Sequence, residues 1–219
     1  MCRPVLILLP FLLAAVLVSS CAPSGSCQFG VAPPSQKVLT QASIHPKDKH
    51  GFPVYRFQDK HRLVRTTAYT CTEADHIQYG NKSAAGTPLN YTRRLRSAAA
   101  DWSYYPLGTK FRIKGMPYTY VVDDYGSALT GTGTVDLYKP SHRVMKAWGL
   151  RKVELSVVEW GSMKRSAEVL SKRTRYHHCR QMLSNILRIQ PSLRKYVQLD
   201  AEPDLTELAM AGLPRKQIR

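Results

Sequence analysis

The stretch from Val121 to Tyr138 reads VVDDYGSALTGTGTVDLY and holds two short β-rich runs on either side of a glycine-rich turn. Apolar and β-branched runs bounded by Gly and Asp are typical of strands. Asp is disfavoured inside a strand, so the presence of Asp123, Asp124 and Asp136 in these β-rich runs needs an explanation. A structural reason would be that their carboxylates accept backbone N–H bonds in turns. A functional reason would be that they perform chemistry in a groove.

Further strands are predicted on both sides of this stretch. Val153, Leu155 and Val157 alternate with polar residues, as expected of a half-buried strand. One short helix is predicted between Ser141, an N-cap candidate, and Gly149, which follows the helix end. The predicted strands are Leu63–Thr70, Lys110–Ile113, Tyr118–Asp123, Thr134–Tyr138 and Val153–Trp160. Roughly 100 residues of short strands predict a small closed barrel, because closure removes exposed strand edges.

Composition bounds the class of protein. The chain has 219 residues, which favours one domain plus tails. Its hydrophobic fraction of 43% excludes a wholly disordered chain. Lys and Arg outnumber Asp and Glu by 32 to 15, a formal net charge of +17. Partners are therefore expected to be anionic, and nucleic acid, phospholipid head groups and acidic wall polymers all fit.

The barrel segment, residues 62–161, lies between two segments of different character. Residues 22–61 are rich in Pro, Ser, Gln and Lys without sustained periodicity, which predicts a flexible linker. Residues 162–199 contain nine Lys and Arg against one acid, Glu168, with apolar residues at helical spacing. This predicts a basic amphipathic helix, which either packs on the barrel with a solvated basic face or contacts an anionic surface. Residues 200–219 are interpreted as a flexible tail.

The amino terminus, residues 1–21, reads MCRPVLILLPFLLAAVLVSSC. Arg3 precedes an apolar run from Val5 to Val18, which predicts a secretory signal. The alternative, a membrane anchor, is disfavoured because the run is shorter than a full span. The ending Val-Ser-Ser-Cys resembles a bacterial lipobox, which implies lipidation of Cys21. We therefore expect a secreted, membrane-anchored lipoprotein, on the outer membrane and facing the periplasm.

Three cysteines remain once Cys2 leaves with the signal and Cys21 carries lipid. An oxidising compartment permits one disulfide among Cys27, Cys71 and Cys179, but the pairing cannot be read from sequence, and free thiols fit equally well.

His76, Cys71 and Asp75 form a sparse cluster that is more typical of a polar surface than of a metal site. We expect neither a metal ion nor another cofactor.

Several motifs, taken in order, resemble those of the three-aspartate (3D) domain: AAADWSYYPLGTKFRI at 98–113, the opening stretch, KAWG at 146–149 and KVELSVVEW at 152–160. That family includes the catalytic part of membrane-bound lytic transglycosylase A and secreted stationary-phase wall-lytic proteins. The resemblance covers about residues 62–161. It implies a mainly β fold, a six-stranded double-psi β-barrel with one short helix, which the basic C-terminal helix would follow.

The resemblance also implies site residues. Thr67 and Tyr69 match the opening Thr-x-Tyr of the family, and Asp101, Asp124 and Asp136 match its three acids. Asp124 is the implied catalytic acid, since it precedes a glycine turn and can face a groove. Asp101 and Asp136 are expected to shape its electrostatic field and to hold loops, and the strand that carries Asp136 is expected to be packed.

Two further expectations accompany this assignment. Gly126 and Trp102 join Thr67 and Tyr69 as candidate substrate contacts, and Trp102, Tyr104 and Tyr105 are candidates for stacking on sugars or, alternatively, for core packing. The doubled acid leaves the register between Asp123 and Asp124 open by one residue. Because neighbours in an extended strand face opposite sides, only one of these acids is expected to enter a groove.

The implied activity is cleavage of peptidoglycan between N-acetylmuramic acid and N-acetylglucosamine without consumption of water. One departure from the family pattern, Ser127 and Thr130 where a Gly and a Lys are common, favours an alternative: a barrel that binds peptidoglycan without cleaving it. The expected partners are glycan strands and, through the lipid, a membrane. Nucleic acid is not expected, because a secreted chain rarely meets it, and the protein is expected to be a monomer.

Overall fold

The structure is a computed structural model that describes residues 30–74 and 76–197. Its six strands are β1 (His61–Tyr69), β2 (Leu95–Ala100), β3 (Lys110–Ile113), β4 (Thr119–Asp124), β5 (Val135–Tyr138) and β6 (Arg151–Glu159). They form a closed barrel in the order β1-β5-β2-β4-β3-β6. The pairs β1–β5 and β2–β4 are parallel and the others antiparallel. The prediction of a mainly β, six-stranded barrel is confirmed, and the barrel is consistent with a double-psi fold.

Strand β2 has no counterpart among the strands predicted from residue pattern. Its sequence, LRSAAA, lacks the β-branched and aromatic residues that favour strands. Ala98, Ala99 and Ala100 are nevertheless buried, because β4 and β5 lie on either side of the strand. Tertiary pairing therefore overrides a weak local preference.

Helix α2 (His142–Trp148) follows β5 and was predicted from its caps. The Ser141 hydroxyl accepts a hydrogen bond from the Val144 amide, and Gly149 ends the helix with a φ of 60°. A positive φ favours glycine, which carries no Cβ. Trp148 is buried and belongs to the barrel core, so the short helix contributes a side chain to that core.

The prediction of a flexible linker over residues 22–61 is wrong for its described part. Helix α1 (Gln36–Ile44) begins at Ser35, whose hydroxyl caps the Val38 amide, and its buried side chains pack with Leu63 of β1. The Glu154 carboxylate on β6 accepts a hydrogen bond from the Ser35 amide at 2.7 Å. These contacts attach the segment to the barrel wall, which a composition rich in Pro and Ser did not reveal.

The basic C-terminal segment forms two helices, not the single helix that was predicted. These are α3 (Met163–Ser171) and α4 (His177–Ile189), and a 3₁₀ turn, Pro191–Tyr196, follows them. Leu170 and Met182 are fully buried in the same core as the barrel residues. The helices therefore pack on the barrel. Within the described residues, no helix is long and apolar enough to cross a membrane.

Several predictions concern residues 1–29 and 198–219, which lie outside the described part of the chain. They include the signal segment, lipidation of Cys21, any disulfide to Cys27 and the flexible tail. Cys71, half-buried, and Cys179, buried, are both free thiols in the structure.

Candidate active site

A β-bulge at the end of β4 places two acids side by side. Ala98 of β2 pairs with Val122, whereas Ala99 pairs with Asp124, so Asp123 is the additional residue of the bulge. Bulges disrupt the regular alternation of a strand and redirect side chains. The expectation that only one of these acids enters a groove assumed a regular strand, and the bulge interrupts that regularity here.

Tyr69, at the end of β1, is the point around which the acids gather. Its hydroxyl donates a hydrogen bond to Asp124 Oδ2 at 3.0 Å. Burial, together with the charges of Asp124, Asp123 and Asp136, raises the pKa of Tyr69 well above its ordinary value. The phenol therefore stays a hydrogen-bond donor among three carboxyl groups.

The Asp124 carboxyl is held by three donors. Its Oδ1 accepts hydrogen bonds from the amides of Ala84 and Tyr125, both at 2.9 Å, while Tyr69 occupies Oδ2. The side chain belongs to a residue that is only 5% exposed, and burial raises its pKa. Since two N–H groups occupy Oδ1, a proton on this carboxyl is carried by Oδ2.

Asp123 is also 5% exposed but is less well satisfied. Its Oδ2 accepts a hydrogen bond from the Ser97 hydroxyl at 2.6 Å, and its Oδ1 is buried with no hydrogen-bond partner. Burial, and to a lesser degree the neighbouring charge of Asp124, raises the pKa of Asp123 to about 7. This carboxyl therefore changes charge near neutral pH.

Asp136, on β5, is the most accessible of the three acids around Tyr69. It is half-buried and accepts a hydrogen bond from the Thr67 hydroxyl at 2.8 Å. Burial, with the charge of Glu73, raises the pKa of Asp136 to about 6. Its strand is packed between β1 and β2, while Asp136 itself is more exposed than Asp124.

Asp101 has a different role from the other three acids. It is fully buried, and its Oδ1 accepts hydrogen bonds from the amide and the hydroxyl of Ser103 at 2.8 and 2.6 Å. Its Oδ2 accepts one from the Gly131 amide at 2.7 Å. The carboxyl thus joins the end of β2 to the loop between β4 and β5.

The candidate sugar contacts divide into two groups. Thr67 and Tyr69 are hydrogen-bonded to Asp136 and Asp124, respectively. Gly126 lies just after the end of β4, two residues beyond Asp124. Trp102 is fully buried, with its indole N–H donating to the Asp124 carbonyl at 2.9 Å, so it supports the site from the core and presents no face to a sugar. Tyr105 is likewise buried in the core, while Tyr104 is half-buried.

The turn after β1 brings a histidine to the site that the sequence indicated only as a weak metal ligand. The His76 ring lies 5.7 Å from the Tyr69 ring and 6.0 Å from the ring of Tyr79. Its Nε2 is buried without a hydrogen-bond partner, and its charge acts to lower the pKa of Asp124. Ile77 and Tyr79 beside it are 63% and 52% exposed, which leaves apolar surface at this rim.

The C-terminal segment contacts the site through Tyr125. The Tyr125 hydroxyl accepts hydrogen bonds from the Arg173 guanidinium at 3.0 Å and the Cys179 thiol at 3.3 Å. Tyr125 is also the residue whose amide binds Asp124 Oδ1. No sequence motif connects the helices to the acids, so this support could not be inferred from residue pattern.

Among residues 30–74 and 76–197, no group of His, Cys, Asp and Glu side chains could hold a metal ion. Asp75, one member of the sparse cluster noted in the sequence, lies outside the described residues.

Comparison with known families gives a match within the barrel. The family model described as the 3D domain matches residues 96–159. This range begins in β2, ends at the close of β6 and includes Asp101, Asp124 and Asp136, whereas Thr67 and Tyr69 on β1 lie outside it. A search of curated proteins returned no match.

Proposed function

From the premise that this barrel contains a 3D domain, we propose that the protein cleaves the glycan strands of peptidoglycan as a lytic transglycosylase does. The 3D family is associated with peptidoglycan-acting, lytic transglycosylase-like proteins. The bond we assign is the β-1,4 link from N-acetylmuramic acid to N-acetylglucosamine.

The observation that carries the proposal is the asymmetric environment of the Asp124 carboxyl. Two backbone amides bind Oδ1, which leaves Oδ2 as the oxygen that holds a proton. Burial raises the pKa of this group, so a protonated fraction persists at a higher pH than for an ordinary Asp. A general acid needs both properties, a fixed direction for its proton and a pKa moved toward working pH.

The reaction divides into two proton transfers at Oδ2. In the first, Asp124 gives its proton to the glycosidic oxygen, and the bond from that oxygen to the muramyl C1 breaks. In the second, the muramyl C6 hydroxyl adds to C1 and passes its proton to the same carboxylate. The products are a 1,6-anhydromuramyl end and a free N-acetylglucosamine hydroxyl. Asp124 is regenerated in its protonated form, and no water enters.

The surrounding groups adjust this carboxyl. Before substrate arrives, the Tyr69 hydroxyl keeps Asp124 Oδ2 hydrogen-bonded. When substrate binds, the glycosidic oxygen must take the place of that hydroxyl at Oδ2. Asp123 and Asp124 repel each other when both are ionised, so a proton shared by the pair is retained to higher pH than on an isolated Asp. Asp136, held by Thr67 at the more open edge, is available to bind a sugar hydroxyl.

The test is a digest of purified peptidoglycan followed by mass spectrometry of the released fragments. The wild-type chain is expected to release anhydro-muropeptides, and Asp124→Asn is expected to lower the rate by about 10²- to 10⁴-fold, the usual contribution of a general acid. Asp123→Asn, which removes the neighbouring charge but leaves the acid, should shift the pH profile to lower pH and cost less rate. If Asp123→Asn is the inactive variant, the assignment of the acid is wrong by one residue.

Products with an ordinary reducing end would contradict the anhydro mechanism. Water would then be the nucleophile, and a second carboxyl would be required within about 5–9.5 Å of the first. Asp136→Asn would identify that carboxyl if its loss abolished activity as completely as the loss of Asp124.

One observation favours a second candidate function, a barrel that binds peptidoglycan without cleaving it. Asp124 is 5% exposed, and its carboxyl joins the turn around Ala84 to the end of β4, as a purely structural acid would. Retention of glycan by the wild-type protein in a pull-down, with no anhydro product in the digest, would support this function.

We also propose that the protein is a lipoprotein of the outer membrane, lipidated at Cys21 and facing the periplasm. The support is the apolar segment Val5–Val18 and the small residues before the cysteine. Metabolic labelling with a fatty acid should label the wild-type chain and not Cys21→Ser. Label retained in that variant would mean that another residue is modified.

A further inference from the structure

A cluster of lysines on the C-terminal helices lies outside the active site and is not needed for the proposed cleavage. Residues 162–197 contain nine Lys and Arg against Glu168 as their one acid, and seven of the nine are exposed. We propose that three of these lysines, with the tyrosine among them, form a docking surface for the anionic head groups of a phospholipid membrane. We call this surface the lysine groove: Lys164, Lys172, Lys195 and Tyr196.

Side-chain contacts show that these residues share one face. The Lys164 ammonium lies 3.9 Å from the centroid of the Tyr196 ring, and that of Lys195 lies 5.0 Å from it. Lys172 and Lys195 line the same cavity of about 300 Å³, between α3 and the 3₁₀ turn that follows α4. Ser171 and Glu168 complete the lining. The three lysines, from three separate turns, thus lie around Tyr196 or along the cavity beside it.

The charge of the groove is only partly neutralised by the protein. The Glu168 carboxylate lies 3.9 Å from Lys164, a long contact between two exposed side chains. Exposed pairs of this kind are weak. One acid among three lysines leaves a net positive groove, and an ammonium is a compact point charge that suits phosphate oxygens. The chemistry expected of a ligand is therefore that of a phosphate group.

The exposed aromatic ring among these lysines favours a lipid surface over a soluble polyanion. Tyr196 is 41% exposed. Tyr flanked by lysines is the composition found at membrane–water interfaces, where the ring enters the head-group region and the ammonium groups meet phosphates. A soluble polyanion would bind the lysines without burying the exposed ring.

The test measures co-sedimentation with vesicles and uses residues 22–219, which hold every element of the described fold and lack the apolar signal segment. Binding to vesicles that contain phosphatidylglycerol is compared with binding to pure phosphatidylcholine vesicles. The variant Lys164→Gln/Lys172→Gln/Lys195→Gln removes the groove charge. The matched control Lys37→Gln/Lys49→Gln/Lys60→Gln removes three exposed lysines from the N-terminal part of the chain.

We expect the wild-type chain and the control to bind phosphatidylglycerol vesicles and to be released by salt, because screening shortens the reach of exposed charges. The groove variant should bind at least about tenfold more weakly, since each basic residue near an anionic surface contributes measurably to affinity. Equal binding by groove variant and control, or equal binding to phosphatidylcholine, would overturn the proposal.

A third arm separates the membrane from the cell wall. If the groove variant loses affinity for purified peptidoglycan but keeps that for phosphatidylglycerol vesicles, the groove serves the wall and the membrane proposal is wrong. Release of anhydro-muropeptides is measured on the same samples. The proposed cleavage can therefore fail while vesicle binding persists, and the reverse outcome is equally visible.

Discussion

The charged groups at the acid-bearing end of the barrel are buried, whereas those of the lysine groove are exposed. At the barrel end, Asp101, Asp123 and Asp124 are at most 5% exposed, and burial raises the pKa of each. In the groove the lysines are exposed. When a charged group is buried, its protonation state and its hydrogen bonds affect the stability of the fold. An exposed charge is screened by solvent and salt and contributes mainly to long-range attraction.

This difference has a consequence for how each region tolerates mutation. Loss of a buried carboxyl leaves donors without partners inside the protein, which is costly. Loss of an exposed ammonium leaves water in its place. Substitutions that remove one charge at a time should therefore have effects that decrease from the barrel end to the groove.

The largest effect on stability is expected at Asp101. Asp101→Ala leaves the amides of Ser103 and Gly131, and the Ser103 hydroxyl, without their acceptor. Each unsatisfied buried group costs about 1–3 kcal/mol, so the free energy of unfolding should fall by about 4 kcal/mol. Urea denaturation followed by circular dichroism measures the change.

The matched control for that substitution is Asp136→Ala. Asp136 is half-buried and accepts only one side-chain hydrogen bond in the structure, from Thr67, so about 1 kcal/mol is expected. Equal losses in the two variants would show that burial does not separate the roles of these acids.

The second effect is a change in how stability depends on pH, and it concerns Asp123. Its pKa of about 7 in the folded protein is raised above that of an unfolded Asp, so the folded state binds its proton more tightly. That contribution to stability is complete below about pH 4 and is lost as pH rises through about 7. The Asn side chain of Asp123→Asn stays neutral, so the free energy of unfolding of this variant should rise by about 2 kcal/mol relative to that of the wild type between about pH 5 and pH 8. Parallel stability curves for the two proteins over this range would refute the assignment.

Much of the barrel was predictable from sequence, and the reasons are local. Strands β3 and β6 carry alternating apolar residues, and the caps of α2 stand in the sequence as Ser141 and Gly149. Strand β2 was missed because its alanines acquire strand geometry only between β4 and β5. Tertiary pairing has no local signature.

The active site was predictable in its residue types and less so in its geometry. Motif order indicated Asp124 and Tyr69, and the two are hydrogen-bonded. The bulge that sets Asp123 beside Asp124, and the burial of Trp102, depend on the pairing of β2 with β4 and on packing against α4. Neither the pairing nor the packing has a period or a motif that a single sequence displays.

The third effect is smaller and compares two tyrosine–arginine contacts. Tyr125→Phe removes the hydroxyl that Arg173 and Cys179 bind in a partly buried place behind Asp124, and it should lower the free energy of unfolding by about 1 kcal/mol. The control is Tyr176→Phe, whose hydroxyl accepts from Arg175 at 2.7 Å between exposed side chains and should change little. Thermal melts of both variants measure this, and a larger loss in Tyr176→Phe would reverse the proposed order.

The smallest effect is expected in the lysine groove itself. In Lys164→Gln/Lys172→Gln/Lys195→Gln the free energy of unfolding should stay within about 0.5 kcal/mol of the wild type, as is usual for exposed substitutions. The one ion pair that is lost, Lys164 to Glu168, spans 3.9 Å between exposed side chains and contributes little. Removal of three positive charges also relieves repulsion in a chain of net charge +17, which partly offsets that loss. Chemical denaturation at low salt measures the difference, with Lys37→Gln/Lys49→Gln/Lys60→Gln as the control for net charge. A loss above about 1 kcal/mol in the groove variant alone would mean that these lysines hold α3 against the 3₁₀ turn, and the groove would then resemble the barrel end.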